Sequence, residues 1–145
     1  MASFLANTSI GVMQKAFYQF STTNGGGGNY IHLKTNIAAS SNIMFQIEAD
    51  GYAYGNACPI LCVWNAYPYS GTGTLINVGT ATLYTGMSAD GLYQSSDNYV
   101  CLRGYTSGPY FCGFVLNSVM ANPTGYNFKV SISAANQNSN SGNYY

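Results

Sequence analysis

Apolar and polar residues alternate with a period of two along much of the chain. In residues 30–36, Ile31 and Leu33 fall on one face and Tyr30, His32 and Lys34 on the other. In residues 43–49, Ile43, Phe45 and Ile47 oppose Met44, Gln46 and Glu48. In residues 126–132, Tyr126, Phe128, Val130 and Ile132 oppose Asn127, Lys129 and Ser131. Successive side chains of a strand point to opposite faces, so each stretch predicts a half-exposed strand. Residues 75–78 and 80–85 add two short candidates, and 16–20 a possible first strand. Turn signals punctuate them at Asp50-Gly51, Gly55-Asn56, Asp90-Gly91 and Asn122-Pro123-Thr124-Gly125. No stretch of useful length carries a helical period. About nine short strands separated by turns predict an all-β protein, an antiparallel, jelly-roll-like β-sandwich without substantial helix.

Two stretches break the half-exposed pattern. Residues 57–65 place Cys58, Ile60, Cys62 and Trp64 opposite Leu61 and Val63. Residues 98–116, NYVCLRGYTSGPYFCGFVL, read as a hairpin turning between Thr106 and Ser107, with Arg103 facing Tyr110 and Cys101 facing Cys112. Val100, Leu102, Phe111 and Val115 line one face, and Tyr99, Cys101, Arg103, Tyr110, Cys112, Phe114 and Leu116 the other. A sheet in a small antiparallel sandwich buries one face and wets the other. The hairpin therefore predicts a second cover, expected from another protein chain, with Leu102, Phe111, Val115 and Trp64 as candidate interface residues.

Charge sharpens that expectation. Among 145 residues there are four Lys+Arg and four Asp+Glu, so only 6% are charged and the net charge is zero. Globular proteins carry about 25% charged residues. This scarcity argues against nucleic acid and against a polybasic membrane site, and leaves a monomer poorly protected against association. No apolar run reaches the ~18 residues of a membrane span, so no membrane insertion is expected. Residues 1–14 lack the basic start and continuous apolar core of a signal peptide.

The candidate chemistry is sparse. His32 is the single histidine, on the polar face of its strand, and reads as a surface or interface residue. Glu48 and Asp50 lie two apart, about 6–7 Å on an extended strand, a spacing also met in glycosidases; with four acids in the chain, chance pairing is the better account. Asp90 and Asp97 match no calcium loop. The Gly25–Gly28 run lacks the Gly-Lys-Ser/Thr of a phosphate loop. Cys58 and Cys62 share a strand face about 13 Å apart at ~3.3 Å per residue, too far to bridge. All four cysteines are expected as buried thiols, with a Cys101–Cys112 bond as the alternative. No enzyme activity, metal or cofactor is expected.

Recognition is the more promising reading. Tyr67, Tyr69, Tyr105 and Tyr110 sit in or beside turns, and aromatic loops on a rigid β scaffold suit glycan and protein binding. Arg103 lies among Tyr99, Tyr105 and Tyr110. Cation–π packing at a sheet edge is its ordinary role; contact with an anionic receptor group is the alternative. The expected organisation is an N-terminal arm or anchor with a possible first strand (1–20), a β-sandwich domain (21–135) and a polar tail (136–145) that orders against a partner.

The strings YIHLKTNI, NIMFQIEADGYAYGN, SSDNYVCLRGY and YFCGFVLN followed by ANPTGY resemble the C-terminal domain of tail-fibre proteins of tailed bacteriophages, especially the cyanophage and marine-phage type. The resemblance spans roughly residues 11–134. It implies a virion structural protein made in the host cytoplasm: a homotrimeric tail-fibre or spike tip presenting loops 21–29, 66–73 and 105–109 to a host-surface glycan or protein. Here Met1 directly precedes the domain, without a repetitive shaft. A separate fibre subunit docked on another virion protein through its N-terminal segment, a capsid decoration or cement protein, and an excised fibre tip all fit that arrangement.

Overall fold

A computed structural model describes residues 12–21, 29–54, 58–106, 111–120, 130–131 and 142–145, with side chains for 30–53, 59–106, 113–120 and 142–145. The protein is all-β: two antiparallel sheets face each other, and no helix occurs among the described residues. The strands are β1 (Val12–Ser21), β2 (Asn29–Ala38), β3 (Phe45–Tyr54), β4 (Cys58–Tyr69), β5 (Thr74–Thr82), β6 (Ser88–Gln94), β7 (Tyr99–Thr106), β8 (Phe111–Met120) and β9 (Val130–Ser131). The five-stranded sheet runs β1-β8-β3-β4-β5, and the four-stranded sheet β6-β7-β2-β9. First pairs with eighth and second with seventh, the nested pairing of a jelly roll. The β3-β4-β5 meander then stays within one sheet.

The period-two pattern explains the core. Phe45, Ile47 and Ala49 of β3, Ile60, Cys62 and Trp64 of β4, and Phe114 and Leu116 of β8 point inward from one sheet. Ile31, Leu33 and Ile37 of β2 and Val100 and Leu102 of β7 meet them from the other. Trp64 is fully buried at the centre, and its Nε1 donates to the Arg103 carbonyl of the opposite sheet at 3.1 Å. An indole N–H buried without a partner would be costly, so this bond permits the tryptophan there.

β7 and β8 are not a hairpin. β7 pairs with β2 and β6, while β8 pairs with β1 and β3 in the opposite sheet. Two alternating strands joined by a short polar link have the same sequence signature whether they pair or arch across a core. Leu102 and Trp64, expected at an interface, lie in the sandwich core at 0% exposure. Val115 is half-buried on the outer face of β8, and the Phe111 side chain lies outside the described residues. Cys101 is a buried thiol outside any disulfide, which removes the Cys101–Cys112 bond; Cys62 is likewise a buried thiol outside any disulfide.

Other boundaries also shift. The two short candidates at 75–78 and 80–85 merge into one strand, β5, that ends at Thr82 and has a bulge placing Asn77 in the left-handed region at φ 52°. Asp90-Gly91 is no turn: it is a bulge inside β6, where Ala89 faces Gly104 and Gly91 faces Arg103. A bulge re-aims one side chain, here that of Asp90. The possible first strand is present: β1 is a ten-residue strand bound along its length to β8, so it starts at Val12 and joins the five-stranded sheet. The turn at 122–125 and most of the predicted 126–132 strand lie outside the described residues.

Candidate recognition surfaces

Arg103 projects from the outer face of the four-stranded sheet. The bulged Asp90 accepts a bond from its Nε at 2.5 Å, and the Gly142 carbonyl one from Nη1 at 3.1 Å. Its guanidinium lies 5.9 Å from the centre of the Tyr30 ring, which meets the Tyr105 ring at 5.0 Å. Gly91 gives it room: a Cβ there would lie 3.4 Å from Nη2. The arginine thus has an ion pair, a carbonyl and an aromatic face, that of Tyr30 on the neighbouring strand, and it lies on the interior strand β7 and not at a sheet edge.

The segment it holds covers the rest of that face. Residues 142–145 lie across β2 and β6, with the main-chain N–H groups of Tyr144 and Tyr145 both donating to the Tyr93 hydroxyl, at 3.2 and 3.3 Å. Tyr144 packs 5.5 Å from the His32 ring. His32 is therefore fully buried, with Nδ1 3.0 Å from the Tyr93 hydroxyl, and is not a surface residue. Its polar strand face is covered by the chain itself. Residues 142–145 thus supply a cover for this outer face of β2, β6 and β7.

Burial sets the chemistry of the patch. It pushes the Tyr93 phenol up to about 12 and the Cys101 thiol up to about 11. A protonated, buried thiol is a poor nucleophile, so Cys101 is packing material. At the far end of β2, Lys34 forms an ion pair with Asp97, and its ammonium lies 5.5 Å from the centres of the Tyr99 and Tyr145 rings. The hydrogen bond from Lys34 holds the Asp97 carboxyl below its usual range. Asp90 and Asp97 are each engaged with a cation, and no group of three potential metal ligands occurs among the described residues.

The loop aromatics separate. Tyr67 and Tyr69 lie at the C-terminal end of β4, on the outer face of the five-stranded sheet, their rings 5.7 Å apart. Tyr105 lies at the C-terminal end of β7, near Asn29 and Ser88. Strand direction puts these two ends at opposite poles of the sandwich: Ala66 faces Phe45 at the start of β3, whereas Thr106 faces Asn29 at the start of β2. Loops 21–29 and 105–109 therefore leave one pole and residues 66–73 the other. Tyr110 lies outside the described residues.

Beside Tyr67 the outer face forms an open groove of about 500 Å³ between β3, β4, β5 and β8. Sequence reasoning named only Tyr67 there. Gln46, Asn65 and Asn77 come from three strands whose adjacency depends on register, so no local signal marked them. Glu48 and Asp50 follow Gln46 along β3. The outer face beyond is sparsely charged, with Met44, Tyr52 and Val119 about half exposed. Past the groove, edge strand β5 and the turn after it expose Val78, Leu83 and Tyr84. No protein family, curated protein or solved structure matches the chain.

Proposed function

We propose that the chain is a non-enzymatic virion structural protein, a trimeric tail-fibre or spike tip that presents its sandwich poles and the five-stranded outer face to a host surface. The observation that carries this reading is the uncharged run of exposed apolar residues along the β5 edge of that sheet and the turn after it. Val78 is 50%, Leu83 62% and Tyr84 48% exposed. Patches of this kind on a β scaffold mark contact surfaces, and strand β5 carries neither a charge nor a proline to discourage pairing. Three copies would convert weak single contacts into stable attachment through effective concentration. The tail-fibre resemblance of the sequence points the same way.

The test is adsorption. Purified protein added to host cells should compete with phage attachment. Binding to purified capsids without any competition would replace this reading with capsid decoration.

A further inference from the structure

We propose that the groove beside Tyr67 is a subsite for a neutral sugar. The inference rests on the host-recognition reading and gives it a ligand class and a place.

The lining is chemically specific. Three exposed amide residues, Gln46, Asn65 and Asn77, line one cleft, and no ionisable acid or base lines it apart from the tyrosine phenol. An amide offers a donor and an acceptor side by side, the pairing that a sugar's vicinal hydroxyls require. Tyr67 adds an aromatic wall that Tyr69 extends, and Met44 and Val119 form an apolar ledge. Such surfaces take the C–H face of a pyranose. A phosphate or nucleotide would call for cations, and a lipid chain for a closed apolar cavity; this cleft is open and amide-lined. Its volume falls within the ~300–1,000 Å³ of small-ligand sites. Glu48, two residues beyond Gln46 on the same strand face, disfavours acidic sugars.

The cleft is also built in advance. The Asn65 amide donates to the Asn77 carbonyl at 3.0 Å, and the left-handed bulge at Asn77 brings that carbonyl within reach. Gly79 makes the arrangement possible, because a Cβ there would sit 2.6 Å from Asn65 Oδ1. At the rim, Asn42 and Ser70 exchange two hydrogen bonds of 2.8 and 3.0 Å, and the Asn42 N–H donates to the Pro68 carbonyl. These bonds fix the strand end that carries Tyr67 and Tyr69. Preorganised polar groups bind without a further ordering cost.

Saturation-transfer NMR on the intact protein tests this with cellobiose, maltose, lactose and N,N′-diacetylchitobiose, and with digalacturonate as the acidic control. At least one neutral disaccharide should bind, with a Kd of roughly millimolar order, and digalacturonate should not. Gln46→Ala and Tyr67→Ala, each checked for retained fold by circular dichroism, should weaken that binding at least tenfold. Tyr105→Ala, at the opposite pole, should leave it unchanged. Silence from all four neutral sugars, or unaltered binding by both groove variants, overturns the proposal. If the protein still competes for adsorption after such a result, host recognition stands and only the groove assignment falls; if it does not compete, both fall.

Discussion

Single residues carry much of the sandwich. Trp64 fills the space between the sheets and ties them through the Arg103 carbonyl, so Trp64→Ala leaves both a cavity and an unpaired acceptor. A loss of about 3–5 kcal/mol is expected, read as a lower urea midpoint at unchanged slope. Gly51 is the opposite case. A Cβ there would lie 2.0 Å from the Gly113 carbonyl oxygen and 2.6 Å from Phe114 Cα, both main chain of the neighbouring strand β8. Gly51→Ala should cost about 1–3 kcal/mol through overpacking, whereas substitution at the exposed Gly73 turn strains only a backbone at φ 63°. The buried Tyr93–Cys101 pair gives a pH signature. In the unfolded chain these groups ionise near 10.0 and 9.0; in the fold, burial raises them to about 12 and about 11. Between those limits the native state holds more protons than the unfolded state, so stability is full below pH 9 and falls from pH 9 to 12. Each group contributes on the order of 2 kcal/mol, and their mutual hydrogen bond keeps the two from adding simply. Urea titrations at pH 8 and pH 11 should show the drop; equal midpoints would contradict the burial.

At the scale of elements, the tail segment 142–145 and the four-stranded sheet act as strap and bed. Arg103 grips the Gly142 carbonyl while Tyr93 receives two main-chain N–H groups. Removing the grip with Arg103→Ala should loosen the strap without dismantling the core, because the inner face of β7 is unaffected. The expected readout is faster alkylation of Cys101 at pH 8 by iodoacetamide, with the denaturation midpoint lowered by no more than about 1–2 kcal/mol, as for loss of a charged hydrogen bond. The strap also shows what could be read in the chain and what could not. Alternation placed Ile31, Leu33, Phe45 and Ile47 correctly, because burial on one face follows directly from period two. His32 occupies an outward position on that same pattern, and nothing nearby in sequence announces that residues 142–145 return to cover it. The Asp90-Gly91 pair misled for a related reason: the same dipeptide serves a turn and a bulge, and strand partners decide which. The β7–β8 arch is the largest such case, since pairing there is settled by β2 and β3, more than forty residues away. The groove shares this character, its amides being drawn together by register alone.

For the whole molecule, 145 residues with 6% charge leave a large apolar surface to be covered. The core absorbs one share of the apolar residues and the strap another. Among the described residues, most large exposed apolar side chains lie on the five-stranded sheet and its β5 edge, a nine-residue strand, TLINVGTAT, with no charged side chain, in which Val78 is exposed and after which Leu83 and Tyr84 follow. Edge strands are ordinarily shielded by charge, proline or bulges. Here the one shield is the bulge at Asn77, which bends the edge without making it polar. Burying an aliphatic side chain fully is worth about 1.5–3 kcal/mol; the half-exposed Val78 and Leu83 recover part of that at each joint, and closure of a ring adds the effective concentration that a single joint lacks. Sedimentation should therefore give about three copies of the intact chain. Val78→Lys places a charge on the bare edge and should shift the population to monomers, while circular dichroism and the unfolding midpoint stay near those of the parent, since Val78 contributes little to the core. A parent chain that sediments as a monomer at micromolar concentration would remove the assembly from this picture. It would leave the sandwich intact and return the exposed edge to the role of a surface that meets a different protein.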